Sequence, residues 1–181
     1  MIFKRKVYNK LLDWKEMSAG ASAVLLEGAR RIGKSTIVEE FAKQEYDDYM
    51  ILDFAKESKD IKNNFIENMD DLDTFFRNLF LLKKKDLKGK NCVIIFDEVQ
   101  LFPIARQAIK YLVADGRYDY METGSLISIK KNVKGILIPS EEYQIKMYPM
   151  DFEEYLWALE DDFTYDAIKN AFVKRKPLGD A

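Results

Sequence analysis

The sequence predicts an α/β fold in which helices pack against a mostly parallel sheet. Short apolar runs alternate along the chain with longer segments whose apolar residues recur at helical spacing. The first apolar run leads directly into a glycine-rich loop, and an amphipathic helix follows that loop. The chain has 181 residues, of which 48% are hydrophobic. This is enough for one domain of ordinary size with a buried core.

The first third of the chain predicts two helices and two strands. Apolar residues at helical spacing predict a helix over Lys4–Met17, and a short apolar run bounded by small residues predicts a buried strand over Ala23–Glu27. After the glycine-rich loop, the spacing over Thr36–Glu45 predicts a second helix. The run Tyr49–Phe54 then predicts a second buried strand.

The segment Lys56–Lys90 is polar at first and then predicts one helix. Asp70 or Asp71 can cap this helix, and the lysines at its end complement the helix dipole. Its apolar residues recur at i, i+3, i+4, i+7 and i+8, which predicts a wide buried stripe. These residues are Leu72, Phe75, Phe76, Leu79 and Phe80.

The second half of the chain predicts three further strands separated by helices. The strand ranges are Cys92–Phe96, Tyr118–Glu122 and Tyr143–Tyr148. Pro103 suits the first turn of a helix that stops at Gly116. A short helix and a loop through Gly135 and Pro139 are expected before the last strand. Asp151 is expected to cap a helix through Leu159, and Thr164 to begin another that ends near Lys174.

The strongest chemical signal is the segment GARRIGKS, which fits the pattern G-x-x-x-x-G-K-[ST] between a strand and a helix. Gly28 and Gly33 let the backbone fold closely around phosphate oxygens, and the amides of residues 30–35 point toward an anion. Lys34 supplies a charge for the β- and γ-phosphates, and the Ser35 hydroxyl is a hard ligand for Mg²⁺. The predicted nucleotide-binding residues are Gly28, Ala29, Arg30, Arg31, Ile32, Gly33, Lys34, Ser35 and Thr36. For the two arginines, a phosphate contact and a solvated loop tip both remain open.

A second signal is the pair of carboxylates at the end of the third strand. Because successive strand residues point to opposite sides, we expect Asp97 to face the metal and Glu98 to reach toward the γ-phosphate. A carboxylate there can polarise an attacking water. No Asn-Lys-x-Asp motif occurs, which favours ATP over GTP. A small-molecule kinase remains an alternative, although it would not need Glu98 as a base.

A third signal is Thr123-Gly124-Ser125, where the fourth strand ends. Ligands of open α/β sheets bind at the carboxyl ends of the strands. A hydroxyl of Thr123 or Ser125 could therefore hold the water or respond to the γ-phosphate. The alternative is that Ser125 simply caps the next helix.

Composition excludes several other chemistries. The chain has no histidine and one cysteine, Cys92, so histidine catalysis, disulfides within the chain and thiolate clusters are excluded. The formal net charge of −2 indicates no general nucleic-acid surface. The run Lys83–Lys90 could bind nucleic acid, but it also fits a solvated helix end. No run approaches the ~18 uncharged apolar residues of a spanning helix. We therefore expect a cytoplasmic protein without a membrane anchor.

Four segments, taken in order, resemble a family of prokaryotic AAA+-type ATPases related to the archaeal ATPases. They are GARRIGKST, IFDEVQLFP, ETGSLI and YPMDFEEYL, and the resemblance extends from about Lys4 to Leu156. It implies an AAA-type three-layer α/β/α sandwich of the phosphate-loop NTPase class, with a five-stranded sheet. ATP or ADP with Mg²⁺ is the implied ligand.

By position, the resemblance makes Lys34 the phosphate lysine, Ser35 and Asp97 the metal residues, and Glu98 the catalytic base. It makes Thr123 or Ser125 the first sensor. The implied organisation is an N-terminal helix and linker (1–20), the ATPase core (21–150), and the start of a helical C-terminal region (151–181). In the family this region usually continues into a nuclease-like effector domain. Further copies of the chain are also possible partners.

Arginines that could contact the γ-phosphate of a nucleotide are few. Relatives often carry Gly-Arg just before the fifth strand, where this chain has Ser140-Glu141, and the segment between strands four and five offers only Lys130, Lys131 and Lys134. Arg106 and Arg117 lie near the sheet edge, where a structural or solvated role competes with contact to a neighbouring subunit's nucleotide. A nucleotide-dependent regulatory switch with little turnover therefore stays open beside hydrolysis.

Overall fold

The computed structural model describes residues 4–18, 20–125 and 141–178. Within these ranges five strands form one sheet in the order β2-β3-β4-β1-β5, and every neighbouring pair runs parallel. The strands are β1 (Ala23–Gly28), β2 (Asp48–Asp53), β3 (Cys92–Asp97), β4 (Asp119–Ser125) and β5 (Glu142–Met147). The predicted α/β fold with a parallel sheet is confirmed, and all five carboxyl ends lie at one edge.

Helices cover both faces of this sheet. In the described ranges they are α1 (Val7–Ser18), α2 (Lys34–Glu45), α3 (Lys59–Glu67), α4 (Leu72–Lys83), α5 (Pro103–Asp115), α6 (Phe152–Ala158) and α7 (Asp162–Lys174). A 3₁₀ turn, Val99–Leu101, follows β3. One hydrophobic core joins the sheet to α3, α4 and α5, and a second joins it to α1 and α2. The result is the expected three-layer sandwich.

Two differences from the predicted elements have clear physical reasons. The segment after β2 forms two helices rather than one, because Ile61 and Phe65 of the otherwise polar α3 are buried in the first core. Asp71, one of the two predicted caps, accepts a hydrogen bond from Thr74 at the start of α4. The fourth strand continues past Glu122 through Ser125, since it keeps pairing with β1 over those residues.

The C-terminal elements follow the prediction closely. Asp151 caps α6 in a reciprocal capping box with Glu154. Asp161 caps α7, which begins at Asp162, two residues earlier than expected. The predicted short helix, the loop through Gly135 and Pro139, and the lysines at 130, 131 and 134 lie outside the described residues. Among the described helices, none is long and apolar enough to cross a membrane.

Candidate functional site

The glycine-rich loop connects β1 to α2, and its two fixed glycines are required for different reasons. A Cβ on Gly28 would lie 2.3 Å from the Met147 carbonyl oxygen and 2.8 Å from the Ile32 side chain. Close packing of the loop against β5 therefore requires a glycine there. Gly33 has φ 93° and precedes the first residue of α2, a left-handed conformation that favours glycine. Both glycines are thus required by the backbone of the protein itself, in addition to the close approach of phosphate that the sequence predicts.

Lys34 is a buried cation at the first turn of α2. Its ammonium donates hydrogen bonds to the carbonyl oxygens of Ala29 at 2.7 Å and Gly28 at 3.3 Å. Burial lowers the pKa of Lys34, and the carboxylates of Glu98 and Asp97 act in the opposite direction. A positive charge is thus held over the loop and faces the two acids at the end of β3.

Two hydroxyl groups converge on one oxygen of Asp97. The Ser35 hydroxyl donates to Asp97 Oδ1 at 2.7 Å, and the Thr123 hydroxyl donates to the same oxygen. The three residues come from α2, β3 and β4, which meet at the carboxyl edge of the sheet. The structure therefore brings together the two predicted metal residues and one of the two predicted sensors.

Glu98 departs from the predicted geometry. It lies just outside β3 and has φ 56° and ψ 43°, so the expected alternation of strand side chains does not extend to Glu98. Its reach toward the γ-phosphate stays a prediction. Its backbone N–H donates to the Thr123 hydroxyl at 3.2 Å. Its carboxylate accepts a hydrogen bond from the Gln100 side chain. A left-handed conformation costs a non-glycine residue about 1–2 kcal/mol, and such strain is concentrated at functional sites.

The remaining predicted binding residues fall into an exposed and a buried group. The exposed group can meet a ligand at the mouth of the loop, and it consists of Ala29, Arg30, Arg31, Gly33, Ser35 and Thr36. Ile32 is half-buried and packs at the edge of the second core. Ser125 is buried at the end of β4, and its N–H donates to Gln100 Oε1 at 3.2 Å.

Arg5 contacts the loop but was not predicted. Its guanidinium donates to the carbonyl oxygens of Ile32 at 3.1 Å and Tyr148 at 2.7 Å, and it pairs with Glu154 at 3.2 Å. Arg5 thus joins the phosphate loop, the end of β5 and α6. Because Tyr148 lies 143 residues away along the chain, the local sequence around Arg5 carries no signal for this contact.

A cleft of about 330 Å³ lies between the N-terminal segment, α2 and α6. It is lined by the start of α1, by Ile37 on α2, and by Trp157 on α6. The Lys4 ammonium lies 4.4 Å from the centre of the Trp157 ring. The cleft therefore combines the Trp157 ring and the Ile37 side chain with charged groups, which are those of Lys4, Arg5, Lys6 and Glu40.

Arg106 and Arg117, the two arginines considered near the sheet edge, are both engaged in ion pairs. The buried Arg106 binds both carboxylate oxygens of Glu142, at 2.6 and 2.7 Å. Arg117 pairs with Asp115 and Asp73 at the surface. The structural interpretation of Arg106 is therefore confirmed.

Three features together define a nucleotide-binding domain of the ATPase type. They are the parallel sheet in this strand order, the glycine-rich loop that runs from β1 into a helix, and the acids at the carboxyl end of β3, from which β1 is separated by β4. The family model described as AAA domain matches residues 21–156. This is well over half of the chain, so the chain belongs to the AAA domain family. The comparison with curated proteins gives no match. The predicted resemblance to AAA-type ATPases is confirmed for these residues.

Proposed function

We propose that the chain binds ATP with Mg²⁺ at the glycine-rich loop and hydrolyses it to ADP and phosphate. The observation that supports this most strongly is the convergence of the Ser35 and Thr123 hydroxyls on Asp97. Lys34 precedes Ser35 and Glu98 follows Asp97 in the chain. One edge of the sheet therefore gathers a cation, hard oxygen ligands and a second carboxylate.

The loop fits a triphosphate. A Cβ on Gly33 would have no neighbour closer than 3.9 Å, so the backbone is not crowded at the point where the loop enters α2. Free backbone N–H groups at a helix start attract anions, and the aligned peptide dipoles add to this attraction. In this proposal Lys34 leaves the loop carbonyls and binds the β- and γ-phosphates instead.

The oxygen atoms of Ser35 and Asp97 fit a magnesium ion. Ser35 Oγ and Asp97 Oδ1 lie 2.7 Å apart, and Mg²⁺ prefers oxygen ligands of this kind. When bound, the ion would neutralise charge on the triphosphate. Thr123 fixes the orientation of the Asp97 carboxylate through its own hydroxyl. We propose that the hydroxyl of Thr123 or Ser125 is the sensor that responds to the γ-phosphate.

Glu98 is the proposed general base. The attacking water forms a bond to the γ-phosphorus as the bond to the β-phosphate oxygen breaks, and Glu98 accepts the water's proton. General-base catalysis of this kind typically contributes 10²–10⁴-fold. The base and ribose of the nucleotide would occupy the cleft beside Trp157, next to Ile37.

Turnover is tested by replacing Glu98 with glutamine. We expect Glu98→Gln to keep ATP affinity within about twofold, because charge on the phosphates is met by Lys34, and to lose roughly 100-fold or more in kcat. Release of phosphate from ATP in the presence of Mg²⁺ measures the rate. Glu39→Gln, on the outer part of α2, is the matched control. An unimpaired Glu98→Gln variant would place the base elsewhere.

A second candidate function is a nucleotide-dependent switch with little turnover. The observation that favours it is the ion pair of Arg106 with Glu142, which keeps that arginine from the phosphates. The nucleic-acid alternative has less support, because Lys83 and Lys85 of the lysine run pair with Glu57 and Asp48. Coupling to a C-terminal effector or to further copies of the chain is proposed from the resemblance, as are domain boundaries at residues 20 and 150. A cytoplasmic location is proposed from the composition, which includes a single cysteine.

A further inference from the structure

We propose that Gln100 is a positioning residue that orients the Glu98 carboxylate and ties it to the end of β4. This inference rests on the proposed function, in which Glu98 accepts a proton from the attacking water. It concerns a residue that touches neither nucleotide nor water in that scheme and acts through Glu98.

Glu98 needs a partner that fixes its side chain. The residue lies after the end of β3 in a left-handed conformation and is only half-buried, so sheet packing does not set its three side-chain torsions. Thr123 holds the backbone N–H of Glu98 at 3.2 Å. The carboxylate itself is held through Oε2, which accepts a hydrogen bond from Gln100 Nε2.

Gln100 is itself firmly placed. It lies in the 3₁₀ turn after Glu98, is only 4% exposed, and accepts a hydrogen bond from the Ser125 N–H at 3.2 Å. A backbone N–H requires an acceptor and an ionised carboxylate requires a donor. A glutamine side chain offers both at once, and the two partners fix which way its amide points.

The result is a double connection between β3 and β4. Glu98 is joined to Thr123 through its backbone and to Ser125 through the Gln100 amide, and Thr123 is also bound to Asp97. Thr123 therefore holds both Asp97 and the Glu98 backbone, and Ser125 holds the Glu98 carboxylate through Gln100. With Oε2 bound by the amide, proton acceptance falls to Oε1 of Glu98.

The kinetic test replaces Gln100 with methionine, which has a similar length and no amide. We expect Gln100→Met to lower kcat for ATP roughly 10- to 100-fold, because a misoriented Glu98 loses part of the contribution of a general base. Nucleotide affinity should stay within about twofold of wild type. Gln44→Met, at an exposed position on α2, is the matched control. In the Glu98→Gln background, Gln100→Met should cause little further loss, because both changes disable the same group.

The second test needs no nucleotide. In ¹H–¹⁵N spectra, Glu98→Ala should move the Gln100 side-chain amide signals, and Gln100→Met should move the Ser125 amide signal. Spectra in which both signals stay in place would overturn the inference. So would a wild-type rate in Gln100→Met, or a full additional loss in the double variant. If the wild-type chain instead hydrolyses no ATP, the proposed hydrolysis and the role of Glu98 as its base are both wrong, whatever the spectra show.

Discussion

Gly28 is the residue at which the shape of the phosphate loop depends most directly on one missing atom. The Met147 carbonyl oxygen lies 2.3 Å from the position that a Cβ would occupy. Because Met147 is the last residue of β5, the contact holds the end of β1 against the end of β5. The loop is therefore shaped by packing as well as by the needs of a ligand.

We predict that Gly28→Ala destabilises the fold by about 3 kcal/mol, the upper part of the usual range for overpacking. Gly116→Ala is the control, because its Cβ would meet nothing within 4 Å while its φ of 73° is strained. That strain should cost about 1 kcal/mol. Urea unfolding followed by circular dichroism measures both changes. Equal losses in the two variants would mean that the Met147 contact relaxes.

At the scale of elements, α6 is attached to the phosphate loop by a buried ion pair. Glu154 pairs with Arg5 at 3.2 Å and accepts hydrogen bonds from the backbone N–H groups of Lys6 at 2.7 Å and Asp151 at 3.1 Å. Arg5 in turn holds the Ile32 carbonyl. Arg5 and Glu154 therefore connect α6 to the phosphate loop through one continuous set of contacts.

We expect Glu154→Ala to cost about 3–5 kcal/mol, because it leaves the Arg5 charge buried without its partner. Glu153→Ala is the neighbouring control. Glu153 pairs with the half-exposed Lys6, and such surface pairs contribute about 0–1 kcal/mol. Denaturant midpoints of the two variants compare these costs. A loss below 1 kcal/mol for Glu154→Ala would show that Arg5 finds another partner.

At the scale of the whole molecule, the two faces of the sheet differ in polarity where β4, β1 and β5 meet. Glu122 is completely buried on this part of the sheet, close to Glu142 and Arg106. Burial first, and the Glu142 carboxylate second, raise the pKa of Glu122 well above its ordinary value. The folded chain thus favours the protonated form of this acid.

Because of this pKa shift, the contribution of Glu122 to the free energy of unfolding should fall as pH rises. Since the pKa of Glu122 is higher in the folded chain, its contribution is fully present below the unfolded value and is lost as pH rises toward the folded one. Glu122→Gln should therefore be more stable than wild type at pH 7. The gain should shrink toward pH 4. Thermal unfolding at several pH values checks this, and a gain independent of pH would contradict it.

The sequence was sufficient wherever the signal is local. Residue spacing and backbone preference alone were enough to predict three features. These are the residues of GARRIGKS, the stripe that buries Phe75, Phe76 and Leu79, and the end of the helix at Gly116. The short helix α3 was missed because its burial depends on partners in α4 and α5 rather than on its own pattern.

The parts of the site that were not predicted depend on contacts between distant segments. Arg5 finds Tyr148 across 143 residues, and Gln100 finds Ser125 across 25. Neither pairing leaves a spacing that can be read along the chain. The left-handed conformation of Glu98 is likewise invisible in a run that otherwise resembles a strand ending in two acids.

Lys34 and its loop are proposed to bind the phosphates of ATP. The most direct test is calorimetric titration of Mg²⁺–ATP into wild type, Lys34→Ala and Lys43→Ala, the last being an exposed lysine later on the same helix. Losing a charged hydrogen bond of about 2–3 kcal/mol should weaken binding roughly 30- to 150-fold in Lys34→Ala. Lys43→Ala should bind as wild type does. Unchanged ATP affinity in Lys34→Ala would show that Lys34 does not bind the phosphates of ATP.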